Sequence, residues 1–160
     1  MVKQSNASVY VGLSLLFLYL LYYFSGFRFD FLVEWQSIQS YKRWSGFALA
    51  LLFLLQWILT IVRVIKGLKK YSLKMTALHK WLGAISPILF FFHATYLGYG
   101  YQLVLSSLFL INVLLGNINL DFIKSTNEYV FRFWMIVHVS ISVILTGLML
   151  FHLGVVFYYK

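Results

Sequence analysis

The sequence has no cysteine, a single proline, four acidic residues and only 11% charged residues in 160. Without cysteine there is no disulfide framework, no thiolate zinc site, no iron–sulfur cluster and no thioether-linked cofactor. One proline and ten glycines leave no low-complexity linker. A soluble domain carries about 25% charged residues, so the scarcity of charge excludes a soluble globular enzyme. Disorder is excluded too, because 62% of the residues are hydrophobic and 21% aromatic, the types that disordered chains lack. What is present is apolar surface, with a mean hydropathy of +0.84. The composition predicts an all-α integral membrane protein folded as one bundle over 1–160.

A spanning helix needs about 20 mostly apolar residues, since each contributes about 1.5 Å across a hydrocarbon core of roughly 30 Å. Five stretches meet this: 9–26, 44–64, 77–98, 101–118 and 131–159. The fourth is short and follows a tight turn through Gly98, Tyr99 and Gly100. No signal peptide is expected, because the first apolar run is long and no small-residue cleavage site follows it. The Asn6-Ala7-Ser8 sequon reads as accidental.

Basic residues in short loops set orientation. Arg63, Lys66, Lys69, Lys70, Lys74 and Lys80 cluster around the second loop with no acid among them. That end is expected to face the cytoplasm, with Lys3, Lys124 and Arg132 on the same side and Lys160 outside. A bacterial cytoplasmic membrane is the expected location, with the N-terminus inside and the C-terminus outside. The net charge of +9 therefore reads as topology, and no nucleic-acid partner is expected. Tyrosines and tryptophans crowd the span ends, as interfacial anchors do.

All four histidines lie inside these spans. His79 and His93 are on the third, His138 and His152 on the fifth, and each pair is 14 residues apart. Fourteen steps in an α-helix fall about 40° short of four turns and climb about 21 Å, so both histidines of a helix share a face. One intervening span makes the third and fifth helices parallel, which sets His79 level with His138 and His93 level with His152. Two imidazoles meet at each end, with no Cys, Asp or Glu at either depth. Zinc takes four protein ligands, or three and water. A b-type haem brings four equatorial nitrogens and asks for two axial ones. The spacing predicts two bis-histidine haems between the third and fifth helices. The alternative is that each histidine merely hydrogen-bonds between helices.

HKWLGAISPILFFFH, a hairpin helix and HVSISVILTGLMLFH together resemble the di-haem core of membrane b-type cytochromes. The kin are the ferric-reductase-like transmembrane domain and the cytochrome b561-like families. The resemblance covers roughly 74–160 and implies that His79, His93, His138 and His152 are axial ligands to iron. Ferric reductases and NADPH oxidases continue into a flavin and nicotinamide domain. These 160 residues hold no such domain, so direct NADPH oxidation is not expected.

Around the histidines, Gly83 is a candidate for close approach of a porphyrin edge or of a neighbouring helix. Pro87 is expected to kink the third span. Lys74, Lys80 and Arg132 are candidate partners for the inner haem's propionates, with Arg63 in reserve; Arg43, Tyr99 and Tyr101 serve the outer. Met149 is expected to fill space between the haems. Gln56 and Asn112 are mid-span polar residues suited to interhelical hydrogen bonds or, alternatively, to a quinone. Segment 27–43 reads as a piece at the interface or one that docks a partner, its Asp30 and Glu34 as solvated charge or as proton acceptors for a quinol.

The expected function is transmembrane electron transfer by a cytochrome b subunit. Its partners are membrane lipids, other redox subunits or a soluble carrier, and a quinone pool. Two alternatives stand: a quinol-oxidising or metal-reducing enzyme in its own right, and a haem-free structural or assembly subunit.

Overall fold

The computed structural model describes residues 6–118 and 127–158. Lys3, Lys124, Tyr159 and Lys160, which entered the orientation and span assignments, lie outside the described residues. Those described form an all-helical bundle: α1 (Ala7–Ser25), α2 (Asp30–Ser37), α3 (Gln39–Leu55), α4 (Ile58–Val64), a 3₁₀ segment (Lys66–Tyr71), α5 (Ser72–His93), α6 (Tyr101–Asn117) and α7 (Glu128–Tyr158).

Four helical stretches are long and apolar enough to cross a membrane: Ala7–Ser25, Gln39–Val64, Lys66–His93 and Glu128–Tyr158. The remaining expected span, the fourth, is α6, an apolar helix of 17 residues, or about 26 Å. The expected boundaries shift by three or more residues at four places, one of them the start of the third span, where α5 begins at Ser72, five residues before Ala77. The second stretch begins at Gln39, five residues before Trp44, and α7 begins at Glu128, three before Phe131. The third ends at His93 instead of running to Gly98, because Ala94 is extended (φ −146°, ψ 118°) and the chain turns there. Residues Ala94 to Leu97 are apolar enough to pass for helix; hydropathy does not register a backbone turn. Gly98 (φ 80°) and Gly100 (φ 57°) take left-handed conformations in the expected tight turn.

The core is a set of buried side chains from α1, α3, α5, α6 and α7, among them Leu16, Phe53, Phe90, Phe109, Leu145 and Met149. Helix α5 is central, packing on α1, α3 and α6, while α6 packs on α7. The two histidine-bearing helices, α5 and α7, are not closely packed on each other, and α3 lies against both. That leaves a slot between them.

Segment 27–43 contains α2, which packs on α3 and α5. Leu32 and Gln36, one turn apart, are its buried face. The Gln36 amide nitrogen donates to the carbonyls of Phe91 (3.0 Å) and Phe92 (3.1 Å), and its oxygen accepts from the Thr95 hydroxyl (2.8 Å) and N–H (3.3 Å). These bonds satisfy carbonyls that the end of α5 leaves open. Asp30 and Glu34 are exposed on α2. Arg28 donates from Nε to the Tyr96 hydroxyl at 3.0 Å, which ties the first loop to the turn after α5 and holds the guanidinium proton more tightly than usual.

Candidate functional site

The slot between α5 and α7 is occupied by two cavities, of about 650 Å³ and about 460 Å³. Both are within the size range of sites that enclose a cofactor. The larger lies at the turn end of α5 and is lined by His93 and His152; the smaller lies at the basic end and is lined by His79 and His138. His79 thus stands with His138 and His93 with His152, so α5 and α7 run in the same direction. The intervening faces line the cavities as the helical spacing requires. Phe90, Leu145 and Met149 border the larger cavity; Gly83, Ser86 and Ser142 border the smaller. Phe53 and Phe109 border both and form the partition between them. Phe109 stacks on Phe90 with centroids 4.9 Å apart, which fixes the partition's position.

At the basic end the rings of His79 and His138 have centroids 6.3 Å apart and planes at 84°. A ligating imidazole nitrogen sits about 2 Å from its metal, with the ring centroid a little over 1 Å further back, so two rings on opposite sides of one ion have centroids roughly 6.4 Å apart. The observed separation equals that span. Among the described residues no group of three or more His, Cys, Asp or Glu converges.

Three of the four rings are held from behind. His93 Nδ1 is 3.2 Å from Ser45 Oγ. The Ser45 hydroxyl proton goes to the Tyr41 carbonyl at 2.8 Å, so its oxygen accepts from Nδ1–H and the Nε2 lone pair stays free. His152 Nδ1 is 3.3 Å from the Tyr101 hydroxyl. His79 Nδ1 is 3.3 Å from the backbone carbonyl of Gln56. Such partners orient histidines that ligate metals. His138 is different: its Nδ1 is buried with no partner, and the ring lies parallel to Trp134 at 5.5 Å.

Two glycines supply the room. A Cβ on Gly46 of α3 would lie 2.7 Å from His93 Cε1, and one on Gly116 of α6 would lie 3.4 Å from His138 Cε1. Neither glycine was singled out from the sequence, since only tertiary packing places them opposite a histidine. Gly83 lines the smaller cavity, and a Cβ there would meet the Gln56 amide at 3.7 Å, ordinary contact. Pro87 denies Gly83 its ladder partner, and the Ser86 hydroxyl donates to the Gly83 carbonyl at 2.7 Å instead.

The candidate cations divide. Lys80 and Arg63 line the smaller cavity, and Arg63 donates to Thr76 Oγ1 at 3.2 Å. Lys74 is exposed and outside that lining. Arg132 is also outside it and pairs with Glu128 at 2.6 Å on the surface. At the other end Arg43 lines the larger cavity, and its Nε is buried without a partner. A buried unpaired guanidinium nitrogen calls for an acceptor, and an anionic group in this cavity would provide one. Lys42 lines the same cavity. Tyr99 is 92% exposed and borders neither cavity.

The mid-span polar residues join helices. Asn112 Oδ1 accepts from Ser142 Oγ at 3.2 Å, linking α6 to α7. Gln56 and Trp57 occupy a break between α3 and α4, and Trp57 Nε1 donates to Thr146 Oγ1 of α7 at 3.1 Å.

No protein-family model, curated protein or solved structure matches this chain.

Proposed function

We propose that the protein carries electrons across a membrane between two b-type haems. His79 and His138 would hold one at the basic, cytoplasmic end, and His93 and His152 the other at the opposite end. Haem held by these histidines would supply a one-electron couple at each site. Helix α6 serves as a fifth, short span, which places the ends of the chain on opposite sides. The membrane is a bacterial cytoplasmic one, with the N-terminus inside and the C-terminus outside.

The observation that carries this reading is one histidine pair per cavity, with His79 and His138 at the spacing of two imidazoles across one metal ion. Supporting it are the acceptor behind Nδ1 of His93, the glycine clearances beside His93 and His138, and the unpartnered Arg43 Nε. Arg43 and Lys42 would neutralise propionates at one end, Arg63 and Lys80 at the other. Phe53 and Phe109 keep water out of the partition and hold the two centres at a fixed separation. Electrons enter and leave through partners: other redox subunits, a soluble carrier or a quinone pool.

Proteoliposomes test the function directly. With ferricyanide trapped inside and an impermeant reductant outside, haem-loaded protein should bleach the ferricyanide well above the rate of protein-free vesicles. Equal rates for loaded protein and empty vesicles would refute electron transfer across the bilayer.

A further inference from the structure

We infer that Gln56 selects the tautomer of His79, and so decides whether the Nε2 of that ring is free to ligate. At the break between α3 and α4, Gln56 N–H bonds to the Phe53 carbonyl and Trp57 N–H to the Leu54 carbonyl, each three residues back. The regular ladder resumes with Ile61 N–H on the Trp57 carbonyl. Gln56 is skipped, and its carbonyl meets His79 Nδ1 at 3.3 Å. A carbonyl only accepts, so this contact needs the proton on Nδ1 and leaves Nε2 with a lone pair.

The side chain of the same residue makes the opposite demand. The structure sets the amide oxygen towards His79 and the nitrogen towards Gly83; with the amide turned over, its oxygen would accept from Gly83 N–H at 2.9 Å, and its nitrogen would donate to the His79 carbonyl at 3.2 Å and to His79 Nδ1 at 2.7 Å. That last bond requires a lone pair on Nδ1 and puts the proton on Nε2. The placement in the structure offers the oxygen to Nδ1–H, but sets that oxygen against the His79 carbonyl and the nitrogen against Gly83 N–H. The amide's own bonds therefore favour the tautomer that cannot ligate through Nε2, while the carbonyl favours the one that can. No such choice exists at His93, where Ser45 has already given its proton to Tyr41 and can only accept. Gln56 is thus a positioning residue acting through His79. Ligation at the basic end requires the amide oxygen to face the ring at the expense of the amide's other bonds, whereas the far site sets no such competition at Ser45.

The consequence for haem rests on the proposed function; the tautomer assignment does not. The test is nitrogen NMR of the full chain, ¹⁵N-labelled at histidine, prepared in detergent without haem. Wild type should show His79 protonated at Nε2 and His93 at Nδ1. In Gln56→Leu, which keeps the carbonyl and removes the amide, His79 should move to the Nδ1–H form while His93 stays unchanged and reports an intact fold. Should that variant not fold, Gln56→Met removes the same donor with an unbranched chain, and the same shift is expected. His79 protonated at Nδ1 in wild type, or an identical His79 signal in wild type and variant, overturns the inference. Haem titration of the same samples separates the two claims. A tautomer shift in proteins that bind no haem keeps the Gln56 assignment and removes the electron-transfer reading. Two haems bound with no tautomer shift does the reverse. Where both hold, Gln56→Leu should bind haem more tightly than wild type at the basic-end site, with the other site unaltered.

Discussion

His93 rests against the backbone of Gly46: a methyl group placed there would approach the ring's Cε1 to 2.7 Å. One residue before Gly46, Ser45 holds the same ring through Nδ1. Successive residues of α3 thus supply clearance and orientation for one histidine, and a change at either acts on a single site.

Gly46→Ala should therefore displace His93 and weaken haem binding at the far end, leaving the basic-end haem in place. Overpacking of this kind costs about 1–3 kcal/mol, so the bundle should still fold. Haem stoichiometry falling towards one per chain, with the helical circular dichroism retained, is the expected result. Full retention of both haems would show that the ring relaxes freely.

Single histidine replacements should divide in two classes. His79→Ala and His138→Ala are expected to lose the basic-end haem, and His93→Ala and His152→Ala the other. Redox titration should leave one component in each variant, the same one within a pair and different between pairs. A crossed outcome, with His79→Ala and His152→Ala losing the same component, would contradict parallel α5 and α7.

Arg43→Gln should act on the far site alone. The buried Nε has no partner in the protein, so removing the charge takes away a counter-ion for an anionic group and not a structural bond. Weaker haem retention there with unchanged thermal stability is expected. A large loss of stability instead would assign Arg43 to packing.

Gly12 of α1 lies against Asn117 of α6: a Cβ on Gly12 would collide with the Asn117 amide. That amide is buried and donates to the Val113 carbonyl at 2.9 Å, so it has little freedom to yield. Gly12→Ala should destabilise the bundle by roughly 1–3 kcal/mol without selecting between the haems. Thermal melts with the cofactor ratio measured in parallel check this.

Much of the fold is legible in composition, because a membrane leaves helices as the way for a chain this apolar to satisfy its backbone. The histidine pairing is legible for a similar reason: with equal 14-residue spacings on two parallel helices, one level pair brings the other level with it, and the similar offsets of His79 from Lys74 and His138 from Arg132 set the first. The rest needed three dimensions. Lys74 and Lys80 are equally basic neighbours in sequence, yet only Lys80 reaches the smaller cavity, since six residues place them on different faces. Arg63, held in reserve from the sequence, lines that cavity because α4 descends beside α5. Gly46, Gly116, Phe53 and Phe109 are unremarkable apolar-helix residues until neighbouring helices are set against them. The break at Gln56 carries no proline or glycine to mark it. Segment 27–43 was readable as a separate piece, and the four-residue interval between Leu32 and Gln36 is its helical signature, but the attachment to the end of α5 depends on where α5 stops.

The central claim is that two histidine pairs hold two haems, and the most direct test is a reduced-minus-oxidised spectrum of detergent-purified protein with extracted haem counted per polypeptide. Two b-type haems per chain is the result this account predicts. No haem, or only one, in protein shown to be folded and supplied with excess haem would contradict it.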